Sequence, residues 1–178
     1  MKVIFLDRDG VINKEVNYLH QIDDFEYTNN CIKALKKIRF LGFEIIVITN
    51  QAGIAKGIFS EESYHRLTNH YIEDLSLNGI DILDVYFCPH HKDATVNKYK
   101  IDCKNRKPNP GMILDAIKKY SIDKENSYLV GDKMSDIEAG LSAGIESVLV
   151  ESGHIFDENI SADIKKYKDL YDFSNTLF

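Results

Sequence analysis

The sequence has no surplus of positive charge, no long apolar run and few cysteines. Its 178 residues carry 22 lysines and arginines against 28 aspartates and glutamates, a net charge of −6. A broad positive surface for a polyanion is therefore not expected, and we predict no nucleic-acid partner. Because no apolar stretch is long enough for a signal peptide or a membrane span, we expect a cytoplasmic protein without a membrane partner. We also expect it to act as a monomer.

The three cysteines and three prolines also carry information through their positions. Three cysteines in an intracellular chain are poor evidence for disulfide bonds. All three prolines fall between Pro89 and Pro110, which predicts a stiff, irregular loop there. Cys88 and Cys103 flank a histidine-containing stretch of the same segment. The loop at about 88–106 is therefore a candidate metal site.

What the sequence does contain is an alternation of two patterns. Short apolar runs typical of strands buried on both faces occur at Val3–Leu6, Ile45–Ile48, Leu83–Phe87, Tyr128–Val130 and Val148–Val150. Stretches with helical periodicity lie between them, one of them from about Ser60 to Asn78. This order predicts an α/β, doubly wound (Rossmann-like) parallel sheet flanked by helices, as a single domain over residues 1–178. The segment after His154 is charged and weakly patterned, and we expect it to form a final short strand or helix at the edge of the domain.

Two carboxylates follow the first predicted strand. Asp7 and Asp9 point the same way if strand geometry continues, and Gly10 allows a sharp turn directly after them. Two carboxylates in one small space repel each other, so a cation is needed to keep them ionised. Mg²⁺ suits the arrangement because it takes oxygen ligands and keeps sites for water and phosphate oxygens. The alternative is an ordinary acidic turn.

Polar residues also follow two further predicted strands. Thr49, Asn50 and Gln51 could bind phosphate oxygens, although a simple turn would look the same. Asp132 and Asp136 could reach a metal, or could belong to an ordinary helix N-terminus. Arg106-Lys107-Pro108 supplies positive charge that could equally be solvated surface. Ligands of parallel sheets bind beyond the carboxyl ends of the strands, so the combination favours one shared phosphate site.

The motifs Asp7-x-Asp9-Gly10, Thr49-Asn50, Lys107-Pro108 and Gly131-Asp132-x-x-x-Asp136 resemble the four motifs of haloacid dehalogenase superfamily phosphatases. The resemblance implies that Asp7 is the nucleophile, forming an aspartyl phosphate, and that Asp9 is the general acid and base. It implies that Thr49 and Lys107 bind the phosphoryl oxygens. Mg²⁺ would be held by Asp7, the backbone carbonyl of Asp9 and Asp132, with Asp136 either a ligand through water or the residue that orients Lys133.

Neither interval between the motifs is long enough for an inserted cap domain, so we expect a capless haloacid dehalogenase-like domain whose loops recognise the substrate. Longer stretches, including Asp7 to Asn13 and Arg106 to Met112, resemble the D-glycero-D-manno-heptose 1,7-bisphosphate phosphatase and histidinol-phosphatase family. That resemblance implies hydrolysis of the 7-phosphate of a small phosphorylated sugar, on the route to surface-polysaccharide precursors such as lipopolysaccharide or capsule heptose. The implied substrate-binding residues are Arg8, Glu15, Val16, Asn17, Tyr18, Asn50, Gln51, Arg106 and Lys133.

The same family holds a structural zinc ion with a Cys-x-His pair and a Cys-x-Cys pair. The first pair is present here as Cys88 and His90, but the second reads Cys103-Lys104-Asn105 and lacks its second cysteine. Structural zinc is nearly always four-coordinate, so two alternatives stay open: zinc whose shell is completed by His91, Asp102 or a water, or a loop held by its prolines and packing without metal.

Three other functions remain as rivals. Histidinol-phosphate phosphatases share every motif quoted above. Phosphatases of nucleic-acid 3′ ends share the catalytic set, but the acidic net charge argues against them. A non-catalytic sugar-phosphate-binding module could use the same scaffold, but it would not need both a nucleophile and a separate acid.

Overall fold

The computed structural model describes residues 1–151 and 163–178. Its strands are β1 (Val3–Leu6), β2 (Glu44–Asn50), β3 (Asp84–Cys88), β4 (Tyr128–Gly131), β5 (Glu146–Val150) and β6 (Lys166–Tyr167). They form one six-stranded sheet in the order β3-β2-β1-β4-β5-β6, and every neighbouring pair is parallel. The predicted doubly wound parallel sheet is confirmed, and each of the five predicted strands is present.

The helices are α1 (Cys31–Phe40), α2 (Ala52–Ala55), α3 (Glu61–Leu77), α4 (Gly111–Tyr120), α5 (Met134–Ala143) and α6 (Leu170–Ser174), with 3-10 turns at Ile22–Asp24 and Asn97–Tyr99. The start of α3 is fixed by Ser60, whose hydroxyl accepts a hydrogen bond from the backbone N–H of Ser63 at 3.1 Å. Among the described residues, no helix combines the length and the apolar content needed to cross a membrane.

Two apolar layers cover the two faces of the sheet. Along β1 the side chains alternate, so Ile4 and Leu6 pack with α1, α3 and α6 on one face. Val3 and Phe5 pack with α4 and α5 on the other face. All four of these side chains are fully buried. This three-layer arrangement explains why the strands read as continuous apolar runs, because both faces of each central strand are covered.

The chain after His154 was predicted to end in a short strand or helix at the domain edge. β6 pairs with β5 at that edge and α6 packs against the sheet, which confirms the prediction for residues 163–178. The part of the prediction that falls on residues up to 162 lies outside the described residues.

The position of β1 in the sheet determines where the candidate site lies. It pairs with β2 on one side and with β4 on the other, so the direction in which the sheet is built reverses at β1. In open α/β sheets such a reversal leaves a crevice beyond the carboxyl ends of the strands. The residues that follow β1, β2 and β4 therefore meet in one place.

Candidate active site

Three carboxylates converge at this crevice. Asp7 directly follows β1, Asp132 directly follows β4, and Asp136 lies in the first turn of α5. One oxygen from each lies within 4.8 Å of the others, and all three residues are buried. Gly131 makes the approach of Asp136 feasible, because a Cβ atom at that position would lie 2.2 Å from the Cβ of Asp136. The prediction that the aspartates of the first and fourth motifs lie close together is confirmed.

Lys107 places one positive charge in this group. Its Nζ lies 3.0 Å from Oδ1 of Asp7 and 2.6 Å from Oδ1 of Asp136, and it donates a hydrogen bond to the carbonyl of Ile48 at 2.8 Å. Asn50 holds the lysine in place through two bonds to its backbone, donating to the Lys107 carbonyl at 2.9 Å and accepting from its N–H at 3.1 Å. Asn50 was predicted to bind substrate, and this stays a prediction; in the structure its amide is bonded to the main chain.

The balance of charge is negative in this cluster. Burial, followed by the charge of Asp136, raises the pKa of Asp7 to about 8, and Lys107 only partly offsets the increase. Asp136 also accepts a hydrogen bond from the backbone N–H of Lys133 at 3.0 Å. Its other oxygen faces Lys107, a partner that the sequence did not indicate. A divalent cation among these oxygens would supply the missing positive charge. Carboxylate oxygens and a net negative charge are what Mg²⁺ requires of a site.

Asp9 sits beside this cluster and is held by several donors. Arg8 donates from Nη2 to both carboxylate oxygens, at 2.8 and 2.9 Å, and from Nε to Oδ1 at 3.3 Å. Asn13 donates to Oδ1 at 3.0 Å, and Gln51 donates to Oδ2 at 3.2 Å. Gln51 also donates to the hydroxyl of Thr49 at 2.8 Å, which links the ends of β1 and β2. The turn that allows this approach uses Gly10, whose φ is 83°.

Arg8 is only 1% exposed, and the structure turns its guanidinium onto Asp9. Its predicted contact with substrate stays a prediction. Asn13 is fully buried and was not predicted as a site residue, although the motif running from Asp7 to Asn13 contains it. The signal that could have found it is the spacing of four from Asp9, which closes the turn with a side-chain amide.

A pocket of about 210 Å³ opens beside Asp9. Its lining brings together most of the predicted substrate residues, namely Arg8, Glu15, Val16, Asn17, Tyr18, Asn50, Gln51 and Lys133. The Nζ of Lys133 donates to Glu15 at 2.7 Å across this pocket, joining the loop after β4 to the loop after β1. Tyr18, with a φ of 58°, accepts a hydrogen bond from Lys56 Nζ at 2.5 Å. Lys56 is a cation that the sequence reading missed.

The outer wall of the pocket is a chain excursion over residues 14–26 that closes on itself. Asn13 and Tyr27 form an antiparallel bridge at its base. The backbone N–H of Lys14 donates to the carbonyl of Glu26 at 2.8 Å, and the N–H of Thr28 donates to the carbonyl of Ile12 at 2.9 Å. Both ends of the excursion are therefore fixed next to β1.

The loop at 88–106 brings its three predicted zinc ligands together. One ligand atom from each of Cys88, His90 and Cys103 lies within 4.8 Å of the others. The Sγ of Cys103 accepts a hydrogen bond from the backbone N–H of Asn105 at 3.4 Å. Burial raises the pKa of the Cys88 thiol to about 12. The predicted substrate residue Arg106 donates to the carbonyl of His90 at 3.3 Å, and it lines a neighbouring cavity of about 120 Å³ instead of the pocket beside Asp9.

Comparison with known proteins agrees with this geometry. A family model described as HAD-hydrolase-like matches residues 104–171. The D-glycero-alpha-D-manno-heptose-1,7-bisphosphate 7-phosphatase of Photorhabdus laumondii is 63% identical over 155 residues, covering 86% of this chain and 85% of that protein. The D-glycero-beta-D-manno-heptose-1,7-bisphosphate 7-phosphatase of Escherichia coli K12 is 42% identical over 151 residues, covering 84% and 79%.

One solved structure is similar over nearly its whole length. The D,D-heptose 1,7-bisphosphate phosphatase of B. bronchiseptica, complexed with magnesium and phosphate, superposes with a TM-score of 0.87. It is 26% identical, and the match covers 99% of this chain and 98% of that one.

Proposed function

We propose a substrate and a mechanism from the premise that this chain belongs to the heptose-1,7-bisphosphate 7-phosphatase family of haloacid dehalogenase-like hydrolases. The chain is a phosphatase of that family. We propose that it removes the 7-phosphate of D-glycero-D-manno-heptose 1,7-bisphosphate through an aspartyl phosphate on Asp7. The relatives favour neither the histidinol-phosphate nor the non-catalytic alternative.

The contact of Asp7 with Lys107, next to a separate carboxylate that reaches the pocket, supports this mechanism best. In the first step an oxygen of Asp7 attacks phosphorus, and the bond from phosphorus to the sugar oxygen breaks. Asp9 gives its proton to the leaving oxygen. In the second step a water molecule attacks the phosphorus of the aspartyl phosphate, gives a proton to Asp9, and releases inorganic phosphate with Asp7 restored.

Lys107 and Thr49 have complementary parts in this proposal. Lys107 is fully buried, with its pKa raised by Asp136 and Asp7 against the effect of burial, so it remains a fixed cation for the phosphoryl oxygens. The hydroxyl of Thr49 is oriented by Gln51 and serves as a second phosphoryl contact. Asp136 acts as the positioning residue of Lys107.

We propose that Asp7, Asp132 and Asp136, with the backbone carbonyl of Asp9, hold Mg²⁺. The three carboxylates against one lysine fit a divalent cation in number and in charge. When bound, the cation neutralises the charge that develops on the transferred phosphoryl group. It would also keep Asp7 ionised, since burial and the neighbouring carboxylates otherwise raise its pKa.

We propose the α anomer as the preferred substrate. The relative named for the α anomer is 63% identical, whereas the relatives named for the β anomer, from Photorhabdus and Escherichia coli, are 45% and 42% identical. The test compares kcat/KM for the α and β anomers of the bisphosphate and for histidinol phosphate. A higher value for the β anomer would contradict the anomer assignment, and a higher value for histidinol phosphate would contradict the substrate class.

The phosphate that is not cleaved needs cations of its own, and Lys56 is a candidate. Its ammonium group lies on Tyr18 at the rim of the pocket, outside the cluster of Asp7. We expect Lys56→Met to lower kcat/KM for the 1,7-bisphosphate by about tenfold, equivalent to about 1.4 kcal/mol, while changing that for the 7-monophosphate less than twofold. Lys98→Met, on the neighbouring loop, is the matched control. Equal losses on both sugars would remove Lys56 from this role.

For the loop at 88–106 we propose a zinc ion with three protein ligands, Cys88, His90 and Cys103. The convergence of the three ligand atoms supports it. The buried Oδ1 of Asn105 has no hydrogen-bond partner among the described residues, and it lies on the segment where the family has its fourth ligand. Metal analysis of protein purified without chelator tests this site: about one zinc per chain is expected, and a ratio near zero after Cys103→Ser. Zinc-free wild-type protein would refute it.

A further inference from the structure

A group of buried polar atoms lies behind Arg8, on the side away from Asp9. Tyr64, Thr68 and Tyr71 are spaced by four and three residues along α3 and therefore share one face of that helix. Their hydroxyl groups and Nη1 of Arg8 are buried, and none of these four atoms has a partner at ordinary hydrogen-bond geometry among residues 1–151 and 163–178, although the Thr68 hydroxyl lies close enough to both phenols to lower their pKa values. The mechanism above uses none of them.

The guanidinium of Arg8 and the two phenols lie close enough to affect one another's pKa values. Burial lowers the pKa of Arg8, but the neighbouring Asp9, Tyr71 and Tyr64 raise it by a larger amount. The net pKa of Arg8 therefore lies above its ordinary value. Burial raises the pKa of Tyr64 to about 12, while its neighbours Thr68 and Arg8 act in the opposite direction. Both phenols therefore stay neutral near pH 7 and can accept or donate a hydrogen bond.

Leaving so many buried polar atoms without partners would be costly. A buried polar group without a partner destabilises the folded state, and buried water in proteins occurs where about two to four polar groups converge. One guanidinium N–H donor and three hydroxyl groups provide such a site. The chemistry fits an enclosed water that accepts from Arg8 and bonds to hydroxyls of α3.

The edge of the Arg8 guanidinium that faces Asp9 shows what the support from α3 would achieve. Its Nε and Nη2 grip both oxygens of Asp9, and Nη2 also donates to the carbonyl of Leu19 at 3.3 Å. The side chain of Asp9 is 17% exposed, whereas that of Arg8 is 1% exposed, so the carboxylate is the more open member of this pair on the pocket side. A planar guanidinium fixes the plane of a carboxylate in a way that a lysine ammonium cannot.

We propose that Arg8, held from behind by the hydroxyl groups of Tyr64, Thr68 and Tyr71 through enclosed water, is the positioning residue that aims Asp9 at the leaving oxygen. The inference rests on the proposed role of Asp9 as acid and base. It assigns α3, which has no residue in the pocket, a part in catalysis. Oδ2 of Asp9, whose Gln51 contact is long at 3.2 Å, is the oxygen that exchanges the proton.

A double-mutant cycle tests the inference on whichever sugar phosphate the wild type hydrolyses best. We expect Arg8→Met to lower kcat about 100-fold with KM changed less than threefold, and Arg8→Lys to recover only part of the loss because it cannot grip both oxygens. In an Asp9→Asn background Arg8→Met should have no further effect. Multiplicative losses would mean that Arg8 acts on the substrate, which overturns the inference and leaves the mechanism intact. A near-normal rate for Asp9→Asn would overturn both.

Tyr71→Phe tests the support from α3 even if Arg8→Met fails to fold. We expect kcat to fall three- to tenfold with KM unchanged. The matched control is Tyr27→Phe, which removes a hydroxyl that already has a protein partner, Asp74, at 2.7 Å; its kcat should stay within twofold. A Tyr71→Phe variant with raised Tm and unchanged kcat would show that the hydroxyl is merely unsatisfied. A crystal structure should show water about 3 Å from Nη1 of Arg8, and a dry site would refute the bridge.

Discussion

The raised pKa of Asp7 predicts an unusual pH dependence of stability in the metal-free protein. The folded-state pKa is about 8, above the ordinary carboxyl value of 3.8, because burial and neighbouring carboxylates oppose ionisation. Between these two values the folded chain holds a proton that the unfolded chain has lost. The stabilisation is therefore fully present at low pH and is lost as the pH rises toward 8, by at most about 1.4 kcal/mol per pH unit.

The variant that isolates this effect is Asp7→Asn, which keeps the shape and removes the charge. Between pH 5.5 and 7.5 the wild type should lose at most about 3 kcal/mol relative to the variant, or roughly 6–12 °C in Tm for a chain of this size. Thermal unfolding in EDTA at the two pH values measures the difference. Asp115→Asn, which removes an exposed carboxylate on α4, is the control and should follow the wild type.

Magnesium provides the second half of the experiment. Because protons and the cation compete for the same oxygens, Mg²⁺ should raise the Tm of the wild type more at pH 7.5 than at pH 5.5. It should raise the Tm of Asp7→Asn less, and that variant should have no measurable turnover. Parallel stability profiles for wild type and Asp7→Asn, with equal responses to Mg²⁺, would refute the idea that the three carboxylates repel one another in the metal-free site.

Two other substitutions test the framework around this cluster. Gly131→Ala should destabilise the protein by more than about 2 kcal/mol, since the new methyl group would overlap Asp136, and a drop in Tm together with a loss of kcat measures it. Asn50→Asp keeps the acceptor for the N–H of Lys107 but loses the donor to the carbonyl of Lys107. We therefore expect kcat to fall about tenfold and the free energy of unfolding in urea to fall by about 1–2 kcal/mol. An unchanged kcat would mean that Asn50 does not position Lys107.

The sequence predicts those parts of the molecule that depend on period and order. The strand at Val3–Leu6 is apolar at every position because both of its faces are buried, and alternation with helices determines that the sheet is parallel. Asp7 and Asp132 could be brought together on paper because both end strands of one parallel sheet.

Side-chain pairing within the site was harder to predict. Arg8, between two aspartates, was predicted to contact an anionic substrate, and that contact stays a prediction. The burial of its guanidinium near α3 and its ion pair with Asp9 were not indicated by the sequence. Asn50 was likewise predicted to bind substrate, which also stays a prediction. The use of its amide by the backbone of Lys107 was not indicated by the sequence. Both outcomes depend on tertiary contacts between segments far apart in the chain, and no local pattern encodes them.

The excursion over residues 14–26 has a consequence for how specificity can change. Its ends are fastened by main-chain hydrogen bonds beside β1, in the manner of an Ω-loop, so its tip can be replaced without altering the sheet. In the proposed mechanism the carboxylates Asp7 and Asp132 belong to the strand ends, whereas the wall that would meet the sugar belongs to this separate segment. If the proposed function holds, exchanging this one short segment would change the sugar that binds and leave the residues for phosphate transfer in place.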